Sequence, residues 1–436
     1  MSEKISSSSS FIRSEPLIQI ASHDFVTVFC CRHHLCDSDI IVSNITKPSF
    51  LTGTARKNLE GKFKVLQDLD HPFIRQLYGV EFTNEHISLY LEKCDGSVLS
   101  EQMQPKVSLD DDEIHRLFCQ LVSVIRYLHE SKNLIHRSLT LDNIYLDKFQ
   151  NIQVSGFDYS SVITEPTEFD VLRSPYEQLQ YIPPELIRGK ESGFSTDIWL
   201  LGIILYILHF NTFPFSDSNT SRLCTKILNQ EPEIPSGTPE FQNLIRGLLA
   251  KDPLQRFTIS QVVTHPWVVS SRYSHYTDPS FYLSPKFRIT PLSKEDIDPE
   301  VMKELVSRNI DTNLTLSEFL RGEKTERTMC YQLFRKKKIM SLLSTPEEVK
   351  QRINMKTAKN DSLTTMSQFR FAKETGANLA FARTPRNRAS SINFEKSEII
   401  TSHGGFQTAR LSIPKANIPL RHASISESFN QPPNLG

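Results

Sequence analysis

From Ile198 to Phe210 the chain reads IWLLGIILYILHF, the nearest approach it makes to an uninterrupted apolar span. A membrane helix needs about 20 such residues, so this stretch reads as a buried helix, and a buried helix needs a body around it. The 436 residues are too many for one ordinary domain and enough for a two-lobed core with appendages. The opening MSEKISSSSSFIRSEP lacks the apolar core of a signal peptide. Seven scattered cysteines suit the reduced thiols of a cytosolic protein. The expectation is a cytoplasmic protein with no membrane span.

Local patterns divide the rest. Residues 1–16 are Ser-rich and expected to be disordered, and 17–47 read as two or three strands. A helix follows Ser108 and Asp111, with Ile114, Leu117, Phe118, Leu121, Val122, Ile125 and Leu128 at helical spacing. Cys30, Cys31, His33, His34 and Cys36 are of metal-ligand type. They crowd into one strand-turn-strand segment with no second paired knuckle, so they read as strand packing and no metal is expected. Charge is uneven: residues 321–436 carry 20 Lys and Arg against 9 Asp and Glu, a net of +11, which leaves −11 on the first 320. The basic tail suits docking on its own acidic body or on an acidic partner, and nothing points to nucleic acid.

Residues 134–158 read LIHRSLTLDNIYLDKFQNIQVSGFD. His136, Arg137, Leu139 and Asn143 keep the spacing of a catalytic loop H-R-D-L-x-x-x-N, and Gly156-Phe157-Asp158 stands in place of D-F-G. Further on come Tyr181-Ile182-Pro183-Pro184-Glu185, similar to A-P-E, and Asp197-Ile198-Trp199-Leu200-Leu201-Gly202, similar to D-x-W-x-x-G. KILNQEPEIP, LLAKDPLQRFT and His265-Pro266-Trp267 follow in order. The chain from 17 to 267 thus resembles the protein kinase superfamily. The resemblance implies an α+β, bilobal fold, with a small β-rich N-lobe (17–92) and a larger helical C-lobe (95–267). It also implies structural roles: Glu185 pairing with Arg256, Asp197 bracing the catalytic loop, and a stack of Leu66, Leu77, His136 and Phe157 across the lobes.

Against that pattern the chemical positions are replaced. Ser138 stands for the catalytic base, whose loss alone costs about 10²- to 10⁴-fold; Gly156 stands for the metal-binding Asp and Ser43 for the phosphate-gripping Lys. Lys62 stands for the helix-C Glu, with Glu60 two residues off, and Thr140 for the catalytic-loop Lys. Ala21 to Val28 contains no glycine to cradle phosphates. The nucleotide-cleft positions map to Val28, Ile41, Leu91, Glu92 and Tyr145, with hinge residues running to Cys94. Ile41 and Tyr145 exceed the Ala and Leu that sandwich adenine in kinases, so no cofactor is expected.

The function implied is that of a pseudokinase, a regulatory or scaffolding protein that binds protein partners such as an active kinase or its substrates. One alternative is a weak atypical Ser/Thr kinase using ATP and Mg²⁺, with Asp158 or Asp142 on the metal and Arg32 or Lys47 on the phosphates. The other is a nucleotide-sensing switch without turnover.

Within the superfamily the resemblance is to the AMP-activated and microtubule-affinity-regulating branch. Leu172-Arg173-Ser174 is similar to the L-R-T of that branch's activation-loop phosphosite, which makes Ser174 a regulatory candidate and Arg137 the receiver of its phosphate. After a linker at 268–294, residues 295–340 resemble a three-helix ubiquitin-associated-like domain, where Met329, Tyr331, Leu333 and Phe334 echo A-x-Y-x-L-L. Arg308-Asn309-Ile310 departs from the Met-Gly-Phe of ubiquitin-binding versions, so packing on the body is expected. The basic tail, 341–436, is expected to be disordered. Its Arg386-x-Arg388-x-Ser390, Arg410-x-Ser412 and Arg421-x-x-Ser424 suit capture by a phosphoserine-binding adaptor.

Overall fold

A computed structural model of the chain describes residues 18–23, 26–46, 53–83, 86–103, 109–157, 161–162, 179–190 and 193–343. Ser174, Asp158, Lys47, Ser108, the Ser-rich N-terminus (1–16) and the tail from 344 onward lie outside the described residues.

The small lobe is a five-stranded antiparallel sheet of β1 (Ile18–His23), β2 (Val26–His33), β3 (Ser38–Thr46), β4 (Leu77–Phe82) and β5 (His86–Glu92), in the order β1-β2-β3-β5-β4. Between β3 and β4 lies helix α1 (Gly53–Gln67), which buries Leu59, Phe63 and Leu66 at one-face spacing. Side chains alternate across a strand, and this sheet buries both faces. Leu77, Ile87 and Leu89 join the main core beside α1, whereas Ile40, Val42, Tyr78 and Tyr90 join a second cluster on the opposite face.

The large lobe begins with α2 (Leu99–Gln102) and α3 (Asp111–Arg126). Asp110, two residues beyond the Ser108 of the expected Ser108–Asp111 cap signature, caps α3, its side chain accepting from Glu113 N at 2.8 Å. Short strands β6 (Leu134–Ile135), β7 (Ile144–Leu146), β8 (Ile152–Val154) and β9 (Ser161–Val162) carry the loop of interest, β7 pairing β8 and β6 pairing β9. Then come α4 (Pro184–Ile187), α5 (Phe194–Phe210), α6 (Thr220–Asn229), α7 (Pro239–Leu248), α8 (Ile259–Val263), α9 (Pro266–Val269) and α10 (Pro279–Leu283). The apolar run is α5, buried from Thr196 to Leu208 and wrapped by the lobe. No helix among the described residues is long and apolar enough to cross a membrane.

Residues 268–294 are not a loose linker. Tyr273, Tyr276, Phe281, Tyr282 and Ile289 are buried there, with Phe73 and Phe281 stacked at 5.6 Å. The aromatic content that composition reads as linker supplies core instead. Three helices close the described chain: α11 (Pro299–Ser307), α12 (Thr312–Leu320) and α13 (Glu326–Leu342). Side chains of Asp298, Asp311 and Thr325 cap them. Met329, Cys330, Tyr331 and Leu333 of α13 pack with Ile40, Val42, Tyr78 and Tyr90, covering the outer face of the sheet. Asn309 takes the left-handed conformation (φ +58°) in the turn between α11 and α12, which Asn tolerates where Gly is absent. Its neighbour Arg308 donates Nη1 to Cys36 O at 3.0 Å, so this loop faces the small lobe.

Candidate functional site

The catalytic-loop positions form a closed hydrogen-bonded unit. Asp197 at the start of α5 accepts at 2.8 Å each from His129 Nε2, His136 N and Arg137 N. Burial is the largest influence and pushes this carboxyl up, but the His129 hydrogen bond, the attraction of the His129 and His136 rings and the His136 backbone donor together outweigh it, holding Asp197 below the usual carboxylate range. Arg137 needs that support because its backbone is left-handed (φ +67°). His136 Nε2 donates to Ser155 O at 3.0 Å while Nδ1 accepts from Ser138 N at 3.2 Å, and burial pushes the imidazole pKa down, keeping it neutral. The His136 ring lies 4.6 Å from the half-buried Phe157 ring, and Leu66 and Leu77 are buried in the same core.

Asn143 is occupied. Its Nδ2 donates to Ser138 O at 2.7 Å and to Ser138 Oγ at 2.9 Å. The same amide fills the space beside Gly156, where a Cβ would lie 2.5 Å from Asn143 Cγ. A metal ligand at 156 is therefore missing twice: glycine has no donor, and the room for one is taken. Asp142 accepts from Ser100 Oγ at 2.5 Å. Arg32 sits at the far end of β2 from the β1–β2 turn that would overlie phosphates, bound to Asp37 at 2.6 Å. That separation is about 20 Å along the strand. Glu185 and Arg256 are brought together as a buried two-point pair at 2.8 and 2.9 Å.

At the nucleotide-cleft positions, β3 sets Ile41 opposite Leu91 and Cys30, and Ser43 opposite Val28 and Leu89. Ile41 is buried and Tyr145 half-buried; desolvation of its hydroxyl raises the Tyr145 pKa. The residue that sequence reasoning missed is Arg75. Its Nε donates to the Glu92 backbone carbonyl at 2.7 Å, and its guanidinium carbon lies 5.3 Å from the Tyr145 ring centroid, within cation–π range. Burial pushes the hinge thiol of Cys94 up to about 12. Behind the same hinge a pocket of about 240 Å³ opens between Glu92, Lys93, Asp147, Gln153, Lys336 and Met340. Lys336 of α13 closes its inner end, donating to Ile74 O, Gln153 Oε1 and Glu92 Oε2 at 2.5–2.6 Å.

The only sequence signal for Arg75 is its place in the Asp70 to Leu77 segment between α1 and β4, where a cation is unexpected so close to a buried core. A family model for the protein kinase domain matches residues 19–268.

Proposed function

This chain belongs to the protein kinase family, and we propose that it acts as a pseudokinase of the AMP-activated and microtubule-affinity-regulating branch. In this reading it is a cytoplasmic regulatory or scaffolding protein that binds an active kinase or its substrates. The observation that carries it is Arg75. Adenine presents an amino donor on its edge, and the Glu92 carbonyl is the hinge acceptor such a donor would seek; the Arg75 guanidinium holds that acceptor and lies near the Tyr145 ring. The chain thus supplies from itself a planar cation in the position of the base. The replacements Ser138, Gly156 and Ser43 remove the proton acceptor, the metal ligand and the phosphate grip, and phosphoryl transfer depends on placing those groups. Asn143 filling the space at Gly156 supports the same reading.

The placement in that branch is supported by Leu172-Arg173-Ser174 and by three capped helices after the kinase domain, the ubiquitin-associated-like unit of this proposal. With the α11–α12 loop turned toward the small lobe, that unit packs on its own body instead of on ubiquitin. Phosphate on Ser174 would be received by Arg137, and phosphoserines of the tail by an adaptor.

The test is thermal stability of the full chain against ATP, with and without Mg²⁺, alongside transfer of the γ-phosphate to acceptor protein. A flat melting curve and no transfer are expected. Arg75→Val combined with Tyr145→Leu should render melting ATP-dependent by opening the base site. A saturable rise in the unmodified chain overturns the closed cleft.

A further inference from the structure

His33 and Cys36 lie on the β2–β3 hairpin, and Cys330 lies on the second turn of α13, almost three hundred residues away. The fold brings the three together. All are fully buried, and one ligand atom from each lies within 4.8 Å of the others. Cys36 Sγ is 3.5 Å from His33 Nδ1. With Zn–S near 2.3 Å and Zn–N near 2.0–2.1 Å, a tetrahedral ion sets its sulfur and nitrogen ligands about 3.6 Å apart, so this edge has the required length already.

The other ring nitrogen faces α13 as well. The imidazole of His33 is fully buried, yet its Nε2 has no hydrogen-bond partner among the described residues. The nearest carboxylate oxygen, Glu326 Oε1, stands 3.8 Å from it, at the start of the helix that carries Cys330. A metal on Nδ1 would fix the ring proton on Nε2, on the side of the Glu326 carboxylate 3.8 Å away, the side from which outer-shell groups orient metal-bound histidines.

We propose that His33, Cys36 and Cys330 form a zinc site that clamps the third C-terminal helix onto the small lobe. Two thiolates and an imidazole form a borderline-soft set that selects Zn²⁺ over Mg²⁺ or Ca²⁺. Binding replaces the thiol protons of Cys36 and Cys330, which pass to solvent, and leaves one coordination position for water. The hairpin turn is held from the same side, since Arg308 bonds the Cys36 carbonyl. The ion would therefore tie the hairpin to α13, whose Lys336 reaches the hinge. The site stands independently of the closed cleft.

The experiment is metal analysis of the full chain, purified without chelators, followed by cobalt exchange. About one zinc per chain is expected, and the Co²⁺ form should show the visible bands and sulfur-to-metal charge transfer of a tetrahedral thiolate site. A zinc chelator should lower the melting temperature, and Zn²⁺ but not Mg²⁺ should restore it. Cys36→Ser and Cys330→Ser should each lose the metal, whereas Cys224→Ser on α6 should keep it. Absence of zinc, copper in its place, full zinc content in both serine variants, or a Cys36–Cys330 disulfide in the isolated protein overturns the assignment. The metal content and cobalt spectrum of the unmodified chain decide the matter even if a variant fails to fold.

Discussion

At Gly156 the missing carboxylate and the backbone conformation are linked. A φ of +84° suits glycine, and the adjoining Asn143 amide is fixed by two hydrogen bonds to Ser138. Restoring the acid by Gly156→Asp should therefore destabilise the chain by about 1–3 kcal/mol, from left-handed strain and overpacking together. Measured by urea unfolding, the penalty should shrink by at least about 0.5 kcal/mol when Asn143→Ala is present, since neighbours sharing space couple. Equal penalties in both backgrounds would show that Asn143 does not hold that space. Adding Ser138→Asp should still yield no phosphoryl transfer while Ser43 and Arg75 remain. Ser138, Asn143 and Gly156 could be placed from the sequence because they sit at fixed short spacings around His136. Arg75 could not, because its role arises only where the segment before β4 folds against the last strand of the sheet.

Elements were readable where their signals are local. The α3 helix follows from its periodic apolar residues and α5 from its apolar run, while the three C-terminal helices follow from the resemblance of 295–340 to a three-helix domain. What composition misread was 268–294, whose tyrosines and phenylalanines are core, and what it left open was which surface α13 covers. That docking rests in part on Lys336, buried against Glu92, Gln153 and Ile74 O. Removing one partner of a buried charge pair costs about 3–5 kcal/mol, because the other is left uncompensated, whereas replacing both by apolar groups of similar volume can be neutral. Lys336→Ala should thus lower stability by about that amount and speed hydrogen exchange along α13. The combined Lys336→Met and Glu92→Leu should recover part of the loss. Unchanged α13 protection in Lys336→Ala would mean that the helix is held by its apolar face alone.

For the whole molecule the decisive joint is Asp70-His71-Pro72, in the turn between α1 and β4. Asp70 accepts from the backbone of Ile289 and Thr290 at 2.9 and 2.8 Å, and Tyr127 Oη accepts from Asp70 N at 2.8 Å. The His71 ring lies within 5.2–6.4 Å of Phe73, Tyr127, Phe281 and Tyr282. The small lobe, the large lobe and the extension after it meet there. Nδ1 accepts from Phe73 N at 3.1 Å and Nε2 faces Ser123 Oγ at 3.1 Å, so both ring nitrogens are used in the neutral form. Burial, with a smaller contribution from the Lys336 charge, pushes the imidazole pKa from 6.5 down to about 3. Unfolded chains then bind a proton that folded ones refuse, so stability falls as pH drops below 6.5 and keeps falling toward 3. At pH 5 the loss from this one group is about 2 kcal/mol. Asp70 acts in the opposite sense, because burial raises its pKa and the folded form takes up its proton more readily. Comparison with His71→Gln, which cannot charge and leaves Asp70 in place, isolates the histidine. The variant should melt below the unmodified chain at pH 7.5, and the gap should narrow by about 2 kcal/mol at pH 5; a gap that stays constant over that range would show that His71 is not the acid-sensitive joint.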